Sequence, residues 1–208
     1  MAYDLEEQEQ LDEFKVWWKK YGKLAVNLVL AALVAYAAWQ GYQYFQQKKA
    51  VEASVLYQAL VTTDATKTAE IKAQSAKLTG DYASTPYAGR AAVFAAKSSI
   101  AAKDTKNAKN QLEWAIKNAK EGAIKSIASV QLAGILFEEK NYDDAVKVLS
   151  SDADKGFLGI KNDLLGDILV AQGKTAEAKK AYKSALENLD AQGKLHQYTV
   201  YKLESLGA

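Results

Sequence analysis

Between Lys23 and Lys48 the chain carries no charged residue, and no other feature restricts its fold as severely. Leu24 to Trp39 is apolar but for the amide of Asn27, and Leu24 through Phe45 makes 22 residues. As a helix this segment is about 33 Å long at 1.5 Å per residue, sufficient for a hydrocarbon layer of about 30 Å. Only a helix hides such a backbone in lipid, because each N–H must find its acceptor within the segment. Trp17, Trp18 and Tyr21 precede the run, and Trp39, Tyr42, Tyr44 and Phe45 close it. Amphipathic rings favour the headgroup region, so these read as interfacial belts. A buried core helix is rarely apolar for so long beside paired lysines. A cleaved signal peptide is the sharper alternative, since Ala35-Tyr36-Ala37 resembles a cleavage site. Against it, the preceding region is long and acidic, and aromatics continue past the site. An uncleaved anchor is the expectation.

Orientation follows from lysines. Lys15, Lys19, Lys20 and Lys23 precede the span, while Lys48 and Lys49 follow it. The excess places the N-terminus in the cytoplasm and the remainder across the membrane. The expected division is residues 1–22 as a cytoplasmic acidic tail and interfacial segment, 23–47 as the transmembrane helix, and 48–208 as a water-soluble domain. Asp4 to Glu13 carries six acids and few apolar residues, which suits a short disordered or frayed helical tail.

Beyond Lys49 the sequence reads as helix after helix, an all-α domain. Val51, Val55, Leu56, Ala59 and Leu60 form a helical stripe, interrupted by Thr62-Thr63-Asp64. A second helix is expected over about Thr66 to Thr79, with Gly80 as its C-cap. Thr85 is placed to cap the next helix, and Pro86 to open it, where its missing N–H is no loss. A repeat then emerges. Leu132-Ala133, Leu136, Asn141-Tyr142, Ala145 and Leu149 match Leu165-Gly166, Leu169, Gly173-Lys174, Ala178, Tyr182 and Ala185. Ala95-Ala96, Ser99, Asp104, Ala108, Leu112 and Ala115 form a weaker copy. Ala145 and Ala178 are 33 residues apart, and Ala108 and Ala145 are 37 apart. That spacing suits tetratricopeptide-like repeats, each a helix-turn-helix of about 34 residues. Small residues let paired helices approach, and Gly166 is expected to face Ala178. Tyr182 and Leu149 are expected to fill space toward the next repeat.

Little in the sequence suggests chemistry. Cysteine is absent, which removes disulfides, thiolate nucleophiles and cysteine metal sites. His196 is the single histidine and has no triad or paired-histidine context. The glycines are dispersed and form no phosphate-cradling motif. Glu138-Glu139 and Asp143-Asp144 flank a repeat turn, where solvation explains them. Asp152-Ala153-Asp154 lacks the remaining spacing of a calcium loop. From Ala50 onward 21 basic and 19 acidic residues are scattered without the basic stripe of a nucleic-acid binder. The chain is therefore read as a non-enzyme that needs no cofactor or metal and binds no nucleic acid.

The order of motifs resembles the YfgM family, the ancillary subunits of the bacterial SecYEG translocon. The resemblance rests on Phe14-Lys15-Val16-Trp17-Trp18-Lys19-Lys20-Tyr21-Gly22-Lys23 before the anchor and Ala53-Ser54-Val55-Leu56-Tyr57-Gln58-Ala59-Leu60 after it. Tyr87-Ala88-Gly89-Arg90-Ala91-Ala92, Asp163-Leu164-Leu165-Gly166-Asp167, Gly173-Lys174 and Ala178-Lys179-Lys180-Ala181-Tyr182 complete it. It implies a single-pass protein of the bacterial inner membrane with its repeats in the periplasm. It further implies association with the SecYEG translocon and a PpiD-type periplasmic chaperone, and help for secreted client proteins. No catalytic motif comes with the resemblance. The alternatives are a scaffold for another cell-envelope assembly, or a membrane-bound hydrolase using carboxylates.

If the repeats stack in the usual way, the first helix of each lines a concave face. In register, that face contains Arg90, Val93, Lys97 and Ile100 from one repeat. The next supplies Ile127, Val130, Gly134 and Phe137, and the last supplies Asp163, Asp167 and Val170. An apolar centre with charged edges suits a protein segment better than a metabolite. The competing account is that several of these side chains pack against neighbouring helices.

Overall fold

The computed structural model of the chain describes residues 2–151 and 154–207, with side chains from Gln8 onward. Among the described residues there are helices and no strands. The chain divides into two compact units, Met1–Lys48 and Lys49–Ala208.

The first unit is a single stretch of helix α1 (Ala2–Thr62). The helix begins at Ala2, so the acidic segment from Asp4 to Glu13 is helical. Its apolar run is exposed: Leu28, Val29, Leu30, Leu33 and Val34 are all more than half accessible. Each such side chain gains roughly 1.5–3 kcal/mol on leaving water, and among the described residues no core cluster forms within this unit. The helix is long and apolar enough to cross a membrane, and none of its most apolar stretch is buried in protein. That separates it from the core helix of a soluble domain. A bilayer supplies the missing apolar surroundings, and the protein is membrane-anchored.

The second unit begins with the last turns of α1, from Lys49. Then come α2 (Thr68–Asp81), α3 (Pro86–Ala101), α4 (Thr105–Asn118), α5 (Gly122–Glu138), α6 (Tyr142–Leu149), α7 (Leu158–Ala171), α8 (Thr175–Asn188) and α9 (Lys194–Ser205). A short 3-10 turn at Lys155–Phe157 leads into α7. Two local expectations are corrected. Gly80 does not cap α2, because the helix runs on to Asp81 and Gly80 lacks the left-handed φ of a C-cap. Thr85 does occupy the N-cap position of α3 with an extended backbone, but its hydroxyl donates to the Tyr82 carbonyl (2.8 Å) instead of accepting from the helix. Pro86 does occupy the first position of α3. Asp152 and Ala153 lie outside the described residues. Asp154 Oδ1 accepts from the Gly156 N–H at 3.1 Å, which is a local turn.

The repeat is visible in its turns. Lys103, Lys140 and Gly173 all have positive φ, at 61°, 61° and 74°. After each, the next N–H reaches back five residues. Asp104 donates to the Ser99 carbonyl (2.9 Å), Asn141 to Leu136 (2.8 Å) and Lys174 to Leu169 (2.9 Å). These are equivalent helix stops, each satisfying an orphan carbonyl at the end of a first helix. Four residues further on, Ala108, Ala145 and Ala178 are completely buried, as their spacing predicts. The paired helices α3–α4, α5–α6 and α7–α8 are therefore successive tetratricopeptide-like units, with α9 packed on the last.

Side-chain size sets how closely the pairs approach. α3 buries Ala88, Ala91, Ala92, Ala95 and Ala96, and at Gly89 an added methyl would sit 2.7 Å from the Ala119 Cβ. In α7, Gly159 lies against Leu189 and Gly166 against Tyr182, two glycines seven residues apart on one face toward α8. The expected partner of Gly166 was Ala178; the three atoms nearest its missing Cβ all belong to the Tyr182 ring. A large ring reaches across the helix pair further than an alanine can, so it takes the space that the glycine opens.

Candidate functional site

The first-helix face contains a shallow cleft of about 270 Å³. Its walls are Tyr57 from α1, Arg90, Val93, Phe94 and Lys97 from α3, and Ile124 and Gln131 from α5. Three residues of the sequence-based set, Arg90, Val93 and Lys97, thus come together. Tyr57, Phe94, Ile124 and Gln131 were missed. Ile124 and Gln131 are seven apart on one helical face and share the period of the chosen residues, so the signal was present. Tyr57 carried none, because nothing local indicates that α1 packs beside α3.

The lining has a definite chemistry. Tyr57 and Tyr87 lie with ring centroids 5.7 Å apart. Arg90 stands 5.8 Å from the Tyr87 centroid and binds Glu121 through both ends of its guanidinium, Nε to Oε2 at 2.8 Å and Nη2 to Oε1 at 2.6 Å. That bidentate bond raises the Arg90 pKa and holds the Glu121 carboxyl below the usual carboxylate range, against the effect of partial burial. Lys97 is exposed and has no ion-pair partner among the described residues. Gln131 Oε1 is buried with no hydrogen-bond partner among them, a loss of about 1–3 kcal/mol if nothing ever donates to it. Among the described residues no acid lines the cleft.

The other eight residues of the set do not join this cleft. Ile100 and Val170 are exposed, at 43% and 40%. Ile127 and Gly134 are half-buried. Val130 and Phe137 pack against the main core, and Phe137 sits 5.8 Å from the Tyr142 ring. Asp163 is buried and holds α9 to α7. It accepts from Thr199 Oγ1 at 2.7 Å and from Lys202 Nζ at 2.9 Å. Asp167 accepts from the same ammonium at 2.8 Å and from the Tyr182 hydroxyl at 2.7 Å. Burial works against the Lys202 charge, yet the bonds to Asp167 and Asp163 outweigh it and lift its pKa. The Tyr182 phenol is pushed well above its ordinary range, first by burial and then by Asp167.

Three of the four paired acids flanking the α5–α6 turn are engaged as turn and surface groups. Glu139 receives Lys109 Nζ at 2.8 Å, Asp144 receives Asn141 Nδ2 at 2.7 Å, and Asp143 receives Gln172 Nε2 at 2.8 Å. Among the described residues no group of three acids or histidines could hold a metal ion.

An apolar membrane helix joined to helix-turn-helix units with matching stops defines a membrane-anchored tetratricopeptide-like protein. The family model for a tetratricopeptide repeat-like domain matches residues 15–208. The ancillary SecYEG translocon subunit of Neisseria gonorrhoeae (strain ATCC 700825 / FA 1090) is 31% identical over 99% of this chain and 100% of its own. Its counterpart in Aggregatibacter actinomycetemcomitans is 30% identical over 92% of this chain and 94% of its own. That of Escherichia coli (strain K12) is 24% identical over 88% of each. No solved structure matches the chain at a significant level. The chain belongs to the YfgM family of ancillary SecYEG translocon subunits.

Proposed function

We propose that this chain is a non-catalytic adaptor of the SecYEG translocon that receives a protein segment in the cleft between α1, α3 and α5. In this reading residues 1–22 lie in the cytoplasm, 23–47 span the bacterial inner membrane and 48–208 stand in the periplasm. Four lysines before the span and two after it support that orientation. The relatives' names support the translocon as partner. A PpiD-type chaperone and secreted chains are the further partners.

The cleft carries the proposal. A length of polypeptide supplies what its lining lacks: a backbone N–H for Gln131 Oε1, a carboxylate for Lys97, and an apolar side chain against Val93, Phe94 and Ile124. At about 270 Å³ it falls below the usual range of small-molecule sites. The anchor confines the repeats to a thin layer beside the membrane and raises their effective concentration near membrane partners.

A photocrosslinking residue at Ile124 or Lys97 in intact cells tests this, with Lys106 on α4 as the comparison position. Crosslinks to translocon subunits, the chaperone or secreted chains from the cleft positions are expected, and few from Lys106. Equal yields from all three positions would remove the cleft. Capture of cell-wall or outer-membrane machinery instead would assign the chain to another envelope assembly. Protease added to spheroplasts should digest the repeat domain; protection would reverse the orientation.

A further inference from the structure

At the end of the apolar run nearer the N-terminus, a glycine makes room for an indole. Gly22 is buried although its neighbours on either side are exposed. A methyl at its Cα would lie 3.1 Å from Trp18 Cδ2 and Cε2 and 3.2 Å from Nε1. The Trp18 ring therefore lies along the helix over Gly22 instead of projecting from it. It belongs to a continuous cluster, with Phe14 at 6.0 Å and Trp17 at 6.3 Å between centroids. Beside this cluster runs a row of lysines at four-residue spacing: Lys15, Lys19 and Lys23.

The cations of this segment are unequally satisfied. Lys15 is bonded to Asp12 at 2.8 Å, and Lys20 stands 5.1 Å from the Tyr21 ring centroid. Lys19 and Lys23 are exposed and have no ion-pair partner among the described residues. Four residues apart on a helix they are neighbours and repel each other. A groove lined by Phe14, Lys15, Trp18 and Lys19 opens beside them.

We infer that Lys19 and Lys23, with the indole of Trp18 laid over Gly22, form a binding site for the headgroup of an anionic phospholipid. The phosphate sits between the two ammonium groups and relieves their repulsion. The indole presents an apolar face to the glycerol and upper acyl region, and its N–H is a donor at the polar boundary. The acyl chains then run along the apolar helix that begins at Leu24. A bilayer lipid is the occupant favoured because the charged row ends where the uncharged run starts. The inference rests on α1 spanning the bilayer, and on neither its orientation nor the cleft.

The test reconstitutes the full chain in nanodiscs of mixed phosphatidylcholine and phosphatidylglycerol and reads retained lipids by native mass spectrometry. The wild type should retain phosphatidylglycerol selectively. Lys19→Gln and Lys23→Gln should each reduce that selectivity about fivefold, the worth of one lysine near an anionic surface. Gly22→Leu should reduce it without changing charge, by displacing Trp18. Lys48→Gln, at the other end of the run, should leave it unaltered. Full selectivity in the Lys19→Gln/Lys23→Gln double variant would overturn the site. So would an equal loss with Lys48→Gln, which would mean that charge anywhere near the bilayer suffices. Indifference to lipid, with loss of a co-purifying protein from the double variant, would assign the lysines to a protein partner and overturn it also.

Discussion

Tyr182 lies with its ring against the backbone of Gly166, and its hydroxyl donates to Asp167, the next residue of α7, at 2.7 Å. Ring and hydroxyl together fix the spacing and register of α7 against α8. Gly166→Ala should therefore force the ring aside and cost about 1–3 kcal/mol in urea unfolding. Gly134, inside α5, has open space where its side chain would be. Gly134→Ala should stabilise by about 0.5–1 kcal/mol, since alanine loses less backbone entropy in a helix. A similar sign for both changes would refute the close contact.

The turn residues give a second contrast. Lys103 and Lys140 adopt the left-handed conformation that Gly173 occupies in the equivalent turn. Lys140→Gly should stabilise by roughly 0.5–1 kcal/mol, and Gly173→Ala should destabilise by about 1 kcal/mol. Thermal melts of the two variants should move in opposite directions.

The lock between α7 and α9 predicts a pH dependence. The Lys202 and Tyr182 pKa values are both raised in the folded state. A raised pKa contributes stability that is fully present below the unfolded value, about 10 for either group. That contribution fades as pH rises toward the folded values. Unfolding free energy should thus fall above about pH 10, and fall less steeply in Lys202→Met. At neutral pH Lys202→Met should cost about 1–3 kcal/mol, less than a fully buried pair because the lysine side chain is a third exposed. An unchanged alkaline slope would show that the pair does not couple to folding.

Phe137 belongs to the edge of the core, against Tyr142. Because it is only half-buried, Phe137→Ala should cost about 2 kcal/mol, below the 3–5 kcal/mol of a fully buried ring. If melting is unchanged while crosslinking of partners drops, Phe137 is a contact residue and its packing role fails.

What the sequence by itself determined is local or periodic. A long uncharged run has one physical solution in a membrane, and it is legible between Lys23 and Lys48. The intervals of 37 and 33 residues place Ala108, Ala145 and Ala178 in equivalent buried positions, because every repeat must close its helix pair with a small residue. Pro86 opens α3 for reasons contained within one turn. Only the tertiary structure decided that the Tyr182 ring takes the space opened at Gly166. It likewise tied Asp163 and Asp167 to Lys202, 39 and 35 residues away, and set Tyr57 of α1 beside Lys97 and Ile124. Periodicity identifies which face of a helix turns inward. Which side chain it meets depends on the depth and angle at which two helices dock, and those are settled by the shapes of residues far apart in the chain.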